Sequence, residues 1–157
     1  AIAGEWGHNP LPWPTDQDLP KQTCYCGKAG CIETYLSGPG FSQQTHLQFQ
    51  FSASCPEIIE ASTRPQHAYH NVAKISYQQY VDRPARTRTS VINVLDPDVI
   101  ILGGGVSNIQ SLYEDVKKVW HQYIFSDSVN TLLLKNIHGD SSGVRGAAWL
   151  NMNNHQH

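Results

Sequence analysis

Apolar and polar residues recur at helical spacing through the middle of the chain, shift to a short continuous apolar run, and then return to a helical pattern. From about Ala68 to Leu95 the positions Val72, Ile75, Val81, Ala85, Ile92 and Leu95 predict a long helix. Pro84 and Arg88 fit it poorly. Proline removes a backbone donor and clashes with the preceding turn, and Arg88 shares a face with Ala85 and Ile92. The pattern therefore predicts a kink, or two helices, between Val81 and Val91. Beyond the turn Asp96-Pro97-Asp98, the run Val99-Ile100-Ile101-Leu102 suits a strand buried on both faces of a parallel sheet. Gly103-Gly104-Gly105 follows. Ser107 and Gln110 then stand at capping-box spacing before the most regular helix of the chain. There Ile109, Leu112, Tyr113, Val116, Val119, Trp120 and Tyr123 keep one face apolar.

The flanks read less regularly. "IETYLSGPGF" predicts a helical turn or two that stop at Gly-Pro-Gly, with a second helix from near Phe41. "CPEIIEAS" predicts a short helix with Pro56 in its first turn. "TLLLKNI" is a second strand candidate, and "GDSSGVRGAAWL" a last helix capped by Asp140. Strand, glycine loop, helix, strand and helix follow one another as in an α/β fold. The glycine loop brings backbone N–H groups up to a ligand or simply makes a tight turn, and GGG alone does not separate the two.

Composition narrows the class. The chain has 157 residues, 39% apolar and 15% charged, enough for one domain with a core. No run is long enough to span a membrane as a helix, and no basic start leads into an apolar stretch as a signal peptide would. A net charge of −2 supplies no basic stripe, so nucleic acid is not the expected partner.

Three of the four cysteines fall in "CYCGKAGC", residues 24–31. A disulfide within C-x-C is geometrically awkward, and a redox pair more usually reads C-x-x-C. Tetrahedral zinc takes thiolates and imidazoles, and Cys24, Cys26 and Cys31 offer three, with Gly27 and Gly30 letting the chain wrap tightly. His8 in "GEWGH" is the nearest fourth ligand, across the Pro-rich segment 9–23. The alternative is a set of inert or partly oxidised thiols. Cys55 stands apart and reads as a buried bystander.

Together "GEWGH" (4–8), "CYCGKAGCIE" (24–33), "DPDVIILGGGVSN" (96–108) and "HGDSSGVRGAAWL" (138–150) resemble the ROK family of bacterial sugar kinases and related repressors. The likeness covers nearly the whole chain except parts of 41–90. It looks most like the fructokinase-type branch, with the N-acetylglucosamine kinase branch a close second. The resemblance implies the C-terminal lobe of an actin-like, ribonuclease H-like sugar kinase fold carrying a zinc-binding loop, with the N-terminal lobe absent. Within it, residues 1–40 would form the zinc and sugar segment, 41–95 a mostly helical part, and 96–150 the nucleotide side.

The resemblance also implies roles. His8, Cys24, Cys26 and Cys31 match zinc ligands, with the metal a structural clamp. Glu5, His8 and Glu33 match residues that hold sugar hydroxyls, and Gly103, Gly104 and Gly105 match the loop beside the adenosine of ATP. The Asp-Gly-Thr phosphate strand and the Asn-Asp pair carrying the catalytic base have no counterpart here, so no catalytic residue is expected in this chain. A hexose, ATP with Mg2+, a homodimer and the cytoplasm are implied as substrates, assembly and compartment. Loss of the other lobe would expose apolar surface and favour association. A sugar-sensing ROK repressor and a stand-alone zinc module are the competing classes.

Overall fold

The computed structural model describes residues 4–139 and 148–149. After two single 3-10 turns, Trp6–His8 and Asp16–Asp18, the chain enters α1 (Ile32–Leu36). Helix α2 (Gly38–Phe49) follows after one residue. It starts ahead of the expected Phe41 because Gly-Pro-Gly opens a helix here and does not break one. The Ser37 hydroxyl accepts from the Gly40 N–H, and Pro39 lies in the first turn, where its missing donor costs nothing. Helix α3 (Cys55–Thr63) begins as expected with Pro56 in its first turn, and Ser54 and Glu57 close a capping box.

Helix α4 (His70–Leu95) runs for 26 residues straight through Pro84, so the expected interruption between Val81 and Val91 does not occur. Every residue from Arg83 to Thr89 is buried, and the segment 12–18 and the end of α5 reach this stretch at Arg83, Arg86 and Thr89. Burial on several sides outweighs the cost of an interior proline, about 3 kcal/mol. The buried face differs from the predicted one. Ala73, Ser76 and Tyr80 lie inside with Val81, Ala85 and Ile92, whereas Ile75 and Leu95 are exposed. Arg88 is buried too. Its Nη1 donates to the Pro84 carbonyl at 3.0 Å and its Nε finds no partner. Burial pulls its guanidinium down to about 10. The helix ends at Asp96, which is left-handed (φ +43°), and Pro97 prevents continuation.

Strand β1 (Val99–Leu102) and strand β2 (Leu132–Lys135) pair in parallel, Val99 opposite Leu132 and Leu102 opposite Lys135. Helix α5 (Gln110–Trp120) lies in the crossover between them. This is the β-α-β unit the apolar pattern predicted. The expectation of burial on both faces fails. Val99, Ile101, Leu132 and Leu134 are exposed, while Leu102 and Leu133 face the core. The two strands are the whole sheet among the described residues, so only one face is covered.

The capping box expected for α5 is also absent. Ser107 sits inside a 3-10 turn (Gly105–Asn108), donates to the Gly104 carbonyl at 2.7 Å and receives Asn136 Nδ2 at 3.0 Å. Its hydroxyl thus joins the glycine loop to the end of β2. The face of α5 is as predicted, with Leu112, Tyr113, Val116 and Trp120 buried against α4. Phe41, Ile58, Ala73, Tyr80, Ala85, Leu112 and Leu133 form a continuous core. The helix expected to open at Asp140 lies outside the described residues, apart from 148–149.

Candidate metal centre and adjoining clefts

The cysteine knot is held by backbone pairing. Cys24 N–H donates to the Lys28 carbonyl at 2.7 Å and Gly27 N–H to the Cys24 carbonyl at 3.0 Å, closing a tight turn between Cys24 and Cys26 on one side and Cys31 on the other. Gly27 (φ +86°) and Gly30 (φ +77°) hold the left-handed conformations that such a wrap requires. Pro10 bridges to Cys31, and Ile32 N–H donates to the Asn9 carbonyl. The segment that carries His8 is therefore pinned to the third cysteine before side chains are considered.

His8 Nδ1, Cys24 Sγ, Cys26 Sγ and Cys31 Sγ all lie within 4.8 Å of one another. A tetrahedral zinc with ordinary bond lengths needs its sulfurs about 3.8 Å apart and sulfur and nitrogen about 3.6 Å apart. Here Cys26 and Cys31 sulfurs are 3.6 Å apart, and Cys24 Sγ is 3.5 Å from His8 Nδ1. The donor set and spacing fit zinc. The hydrogen bond from the Lys28 backbone lowers the Cys26 thiol to about 7, whereas burial, then the neighbouring thiols, push Cys31 up to about 12. The Cys26 and Cys31 sulfurs, 3.6 Å apart, do not ionise together without a cation beside them. Cys55 is not one of the four. It is buried at the start of α3.

The opposite nitrogen of His8 points elsewhere. Nε2 lies 2.8 Å from the Tyr25 hydroxyl and 3.9 Å from Glu33 Oε2, and the two rings meet edge to face at 4.9 Å. Glu33 comes from the first turn of α1, directly after Cys31. Glu5 caps the 3-10 turn that carries His8 and is exposed. The Tyr25 phenol is shifted up by loss of solvation, then by Glu33, Cys24 and Glu5. His8 thus lies between the Tyr25 phenol, which sequence reasoning did not single out, and Glu33. The position of Tyr25 between two candidate ligand cysteines was the available signal.

A recess of about 340 Å³ beside the knot is lined by Gln22, Tyr25, Glu33, Thr34 and Gln43, among others. A larger cleft of about 870 Å³ lies behind it. Its walls are mostly apolar, from Pro39, Cys55, Pro56, Ile59, Val106 and Ile109, and Gly103, Gly104 and Gly105 form its floor. A Cβ on any of these glycines would meet nothing within 4 Å, so the loop leaves open space. Ser37 and Pro39 border both spaces. The N-terminus of α2 is therefore the partition between them.

The anchor of the Pro-rich segment was not foreseen. Asp18 is buried between Arg83 and Arg86, at 2.9 and 3.0 Å. Arg83 also donates to the Gln17 carbonyl, and Arg86 to those of Pro12 and Trp13. Arg86 Nε pairs with Asp82, which receives the Tyr123 hydroxyl, and Tyr123 stacks on Trp13.

The family profile described as "ROK family" matches residues 1–154. The N-acetyl-D-glucosamine kinase of Vibrio atlanticus (strain LGP32) is 36% identical over 159 residues, covering 96% of this chain and 50% of that protein. That of Salmonella typhi is 32% identical over 158 residues, with the same coverage. The chain spans about half the length of the curated relatives it matches. Among solved structures, a ROK family glucokinase from Streptomyces griseus in complex with glucose and AMPPNP superposes with a TM-score of 0.73 at 22% identity, over 95% of this chain and 51% of that one. A ROK hexokinase from Thermus thermophilus gives 0.72 at 24%, over 96% and 49%. A ROK transcriptional regulator, a homolog of the E. coli MLC protein, gives 0.60 at 21%, over 83% and 33%. The α/β fold is that of the ROK sugar kinases.

Proposed function

The chain belongs to the ROK family, and from that premise we propose that it is the C-terminal lobe of an ATP-dependent hexose kinase. The observation that carries this reading is the shared border of the two clefts at Ser37 and Pro39. One side is lined by Glu33, with His8 Nε2 3.9 Å from that carboxylate and Glu5 at the start of the turn that carries His8, groups suited to sugar hydroxyls. The other offers an apolar slot over Gly103, Gly104 and Gly105, suited to the base and ribose of ATP. The N-terminus of α2 stands between them, where the positive end of the helix dipole favours a phosphoryl group.

Zinc, when bound by His8, Cys24, Cys26 and Cys31, would fill its coordination with protein ligands and serve as a clamp that fixes the His8 tautomer. With Nδ1 turned toward the sulfurs, Nε2 carries the ring proton and faces the sugar side. Phosphoryl transfer is mostly positioning and charge stabilisation, and it needs a base to take the proton of the attacking hydroxyl. We assign that base, the Mg2+ ligands and the phosphate strand to a complementary lobe. Homodimerisation and a cytoplasmic setting, where thiols stay reduced, go with this reading.

The finer reading is a fructokinase, resting on "GEWGHNPLPW" and "CYCGKAGCIET". N-acetyl-D-glucosamine kinase is the second reading, favoured by the curated relatives. The test joins this chain to the N-terminal half of a ROK kinase and assays ATP-dependent phosphorylation of fructose, glucose, mannose and N-acetylglucosamine. Turnover only in the joined protein is expected, with fructose preferred. Sugar phosphate formed by the isolated chain would overturn the division of labour. Failure of the joined, zinc-loaded protein to bind any sugar would point to a zinc module serving only the fold.

A further inference from the structure

We propose that Tyr25 is a substrate-responsive cover on His8, occupying the hydrogen-bonding position of a sugar hydroxyl and swinging aside when a hexose binds. The inference rests on the reading of Glu5, His8 and Glu33 as the sugar site.

With Nδ1 beside Cys24 Sγ and taken by a metal held there, His8 would have a single N–H left to donate, at Nε2. That N–H is within 2.8 Å of the Tyr25 hydroxyl, so phenol and sugar hydroxyl exclude one another there. Glu33 Oε2, at 3.9 Å, is too far to take the bond itself. A hydroxyl replacing the phenol could accept from Nε2 and donate to Glu33. The phenol satisfies only the first of these with the geometry found here.

Little opposes the swing. Tyr25 is 83% exposed, and its contacts with His8 are one hydrogen bond and one edge-to-face ring contact. Its backbone is held between Cys24 and Cys26, so the movement is confined to side-chain torsions and leaves the metal ligands in place. The cover thus keeps bulk water from the Nε2 proton until a ligand with the right hydroxyl displaces it.

The test compares the zinc-loaded full chain with its Tyr25→Phe variant, zinc content being checked in both by elemental analysis. Nitrogen-15 histidine labelling reports the exchange of the His8 Nε2 proton with solvent, and calorimetric titration with fructose, glucose and N-acetylglucosamine reports affinity. The expected result is faster Nε2 proton exchange in the variant and about fivefold tighter hexose binding, the loss of one competing hydrogen bond. Unchanged exchange, or equal or weaker binding by the variant, overturns the cover alone. If neither protein binds any of the hexoses, the sugar-site reading fails and the cover falls with it.

Discussion

Arg83 Nε lies 2.9 Å from Asp18 Oδ1, although the two stand 65 positions apart in the sequence, and both side chains are only 1% exposed. Arg86 reaches the other oxygen, so one carboxylate answers two buried guanidiniums. Removing it leaves two uncompensated charges. Asp18→Asn is expected to cost about 3–5 kcal/mol in urea unfolding at neutral pH. A loss within experimental error would mean the pair contributes nothing.

Acid should undo the same contact. Burial alone would raise the Asp18 carboxyl, but hydrogen bonds from Arg86, the Thr15 backbone and Arg83 outweigh it and hold the carboxyl below 3.8. A carboxyl whose folded-state pKa is depressed adds stability above its unfolded value and loses it as pH falls through the folded one. Stability of zinc-free protein should therefore fall below about pH 4, and Asp18→Asn should flatten that limb. Urea midpoints measured from pH 6 to 3 check this.

Helix α4 carries two residues against its own interest. Pro84→Ala restores a backbone donor in a helix interior and should stabilise by about 1–3 kcal/mol. Arg88→Met replaces a buried cation lacking a carboxylate with a flexible apolar chain, and about 1–4 kcal/mol is expected. Because Arg88 donates to the Pro84 carbonyl, the double variant should not be additive. A lower melting temperature for either single variant contradicts this account.

Close approach at the start of α2 gives a third contrast. A Cβ at Gly40 would lie 2.3 Å from the Thr34 carbonyl oxygen and 2.6 Å from its carbon, both backbone. Gly40→Ala should cost about 1–3 kcal/mol or more. At Gly38 the nearest atom is Cys55 Cβ at 3.7 Å, so Gly38→Ala should be tolerated. Thermal unfolding of the two variants side by side distinguishes them.

Metal uptake should be coupled to protons. The Cys31 thiol, pushed up to about 12, is protonated at neutral pH and must lose its proton to bind zinc. Zinc binding at pH 7 is expected to release protons into a weak buffer, and affinity to weaken as pH falls. About one zinc per chain, loosened in His8→Ala, is the outcome expected by elemental analysis.

The sequence disclosed the elements with local signatures. Pro56, the face of α5 and the clustering of three cysteines all follow from neighbouring residues. What it concealed depended on distant ones. Nothing within "DRPARTR" announces Asp18, 65 positions away, with which Arg83 and Arg86 are buried. The continuous path through Pro84 likewise goes with contacts from α5 and the segment 12–18, which no window around position 84 contains. Val99 and Ile101 look like central-strand residues, but how much of a strand is covered depends on what lies beside it. Tyr25 escaped notice because a spacer between ligands has no pattern of its own, only a place.

The anchoring of the Pro-rich segment by Arg83 and Arg86 bears on the reversibility of metal exchange. Between His8 and Cys24 the chain is already tied at Pro12, Trp13, Gln17 and Asp18. Most of the ring-closure entropy is thus met by protein contacts before a metal arrives, leaving two short arcs to settle. A chelator should accordingly strip zinc from a chain that keeps its far-ultraviolet dichroism, and returned zinc should rebind without a refolding lag.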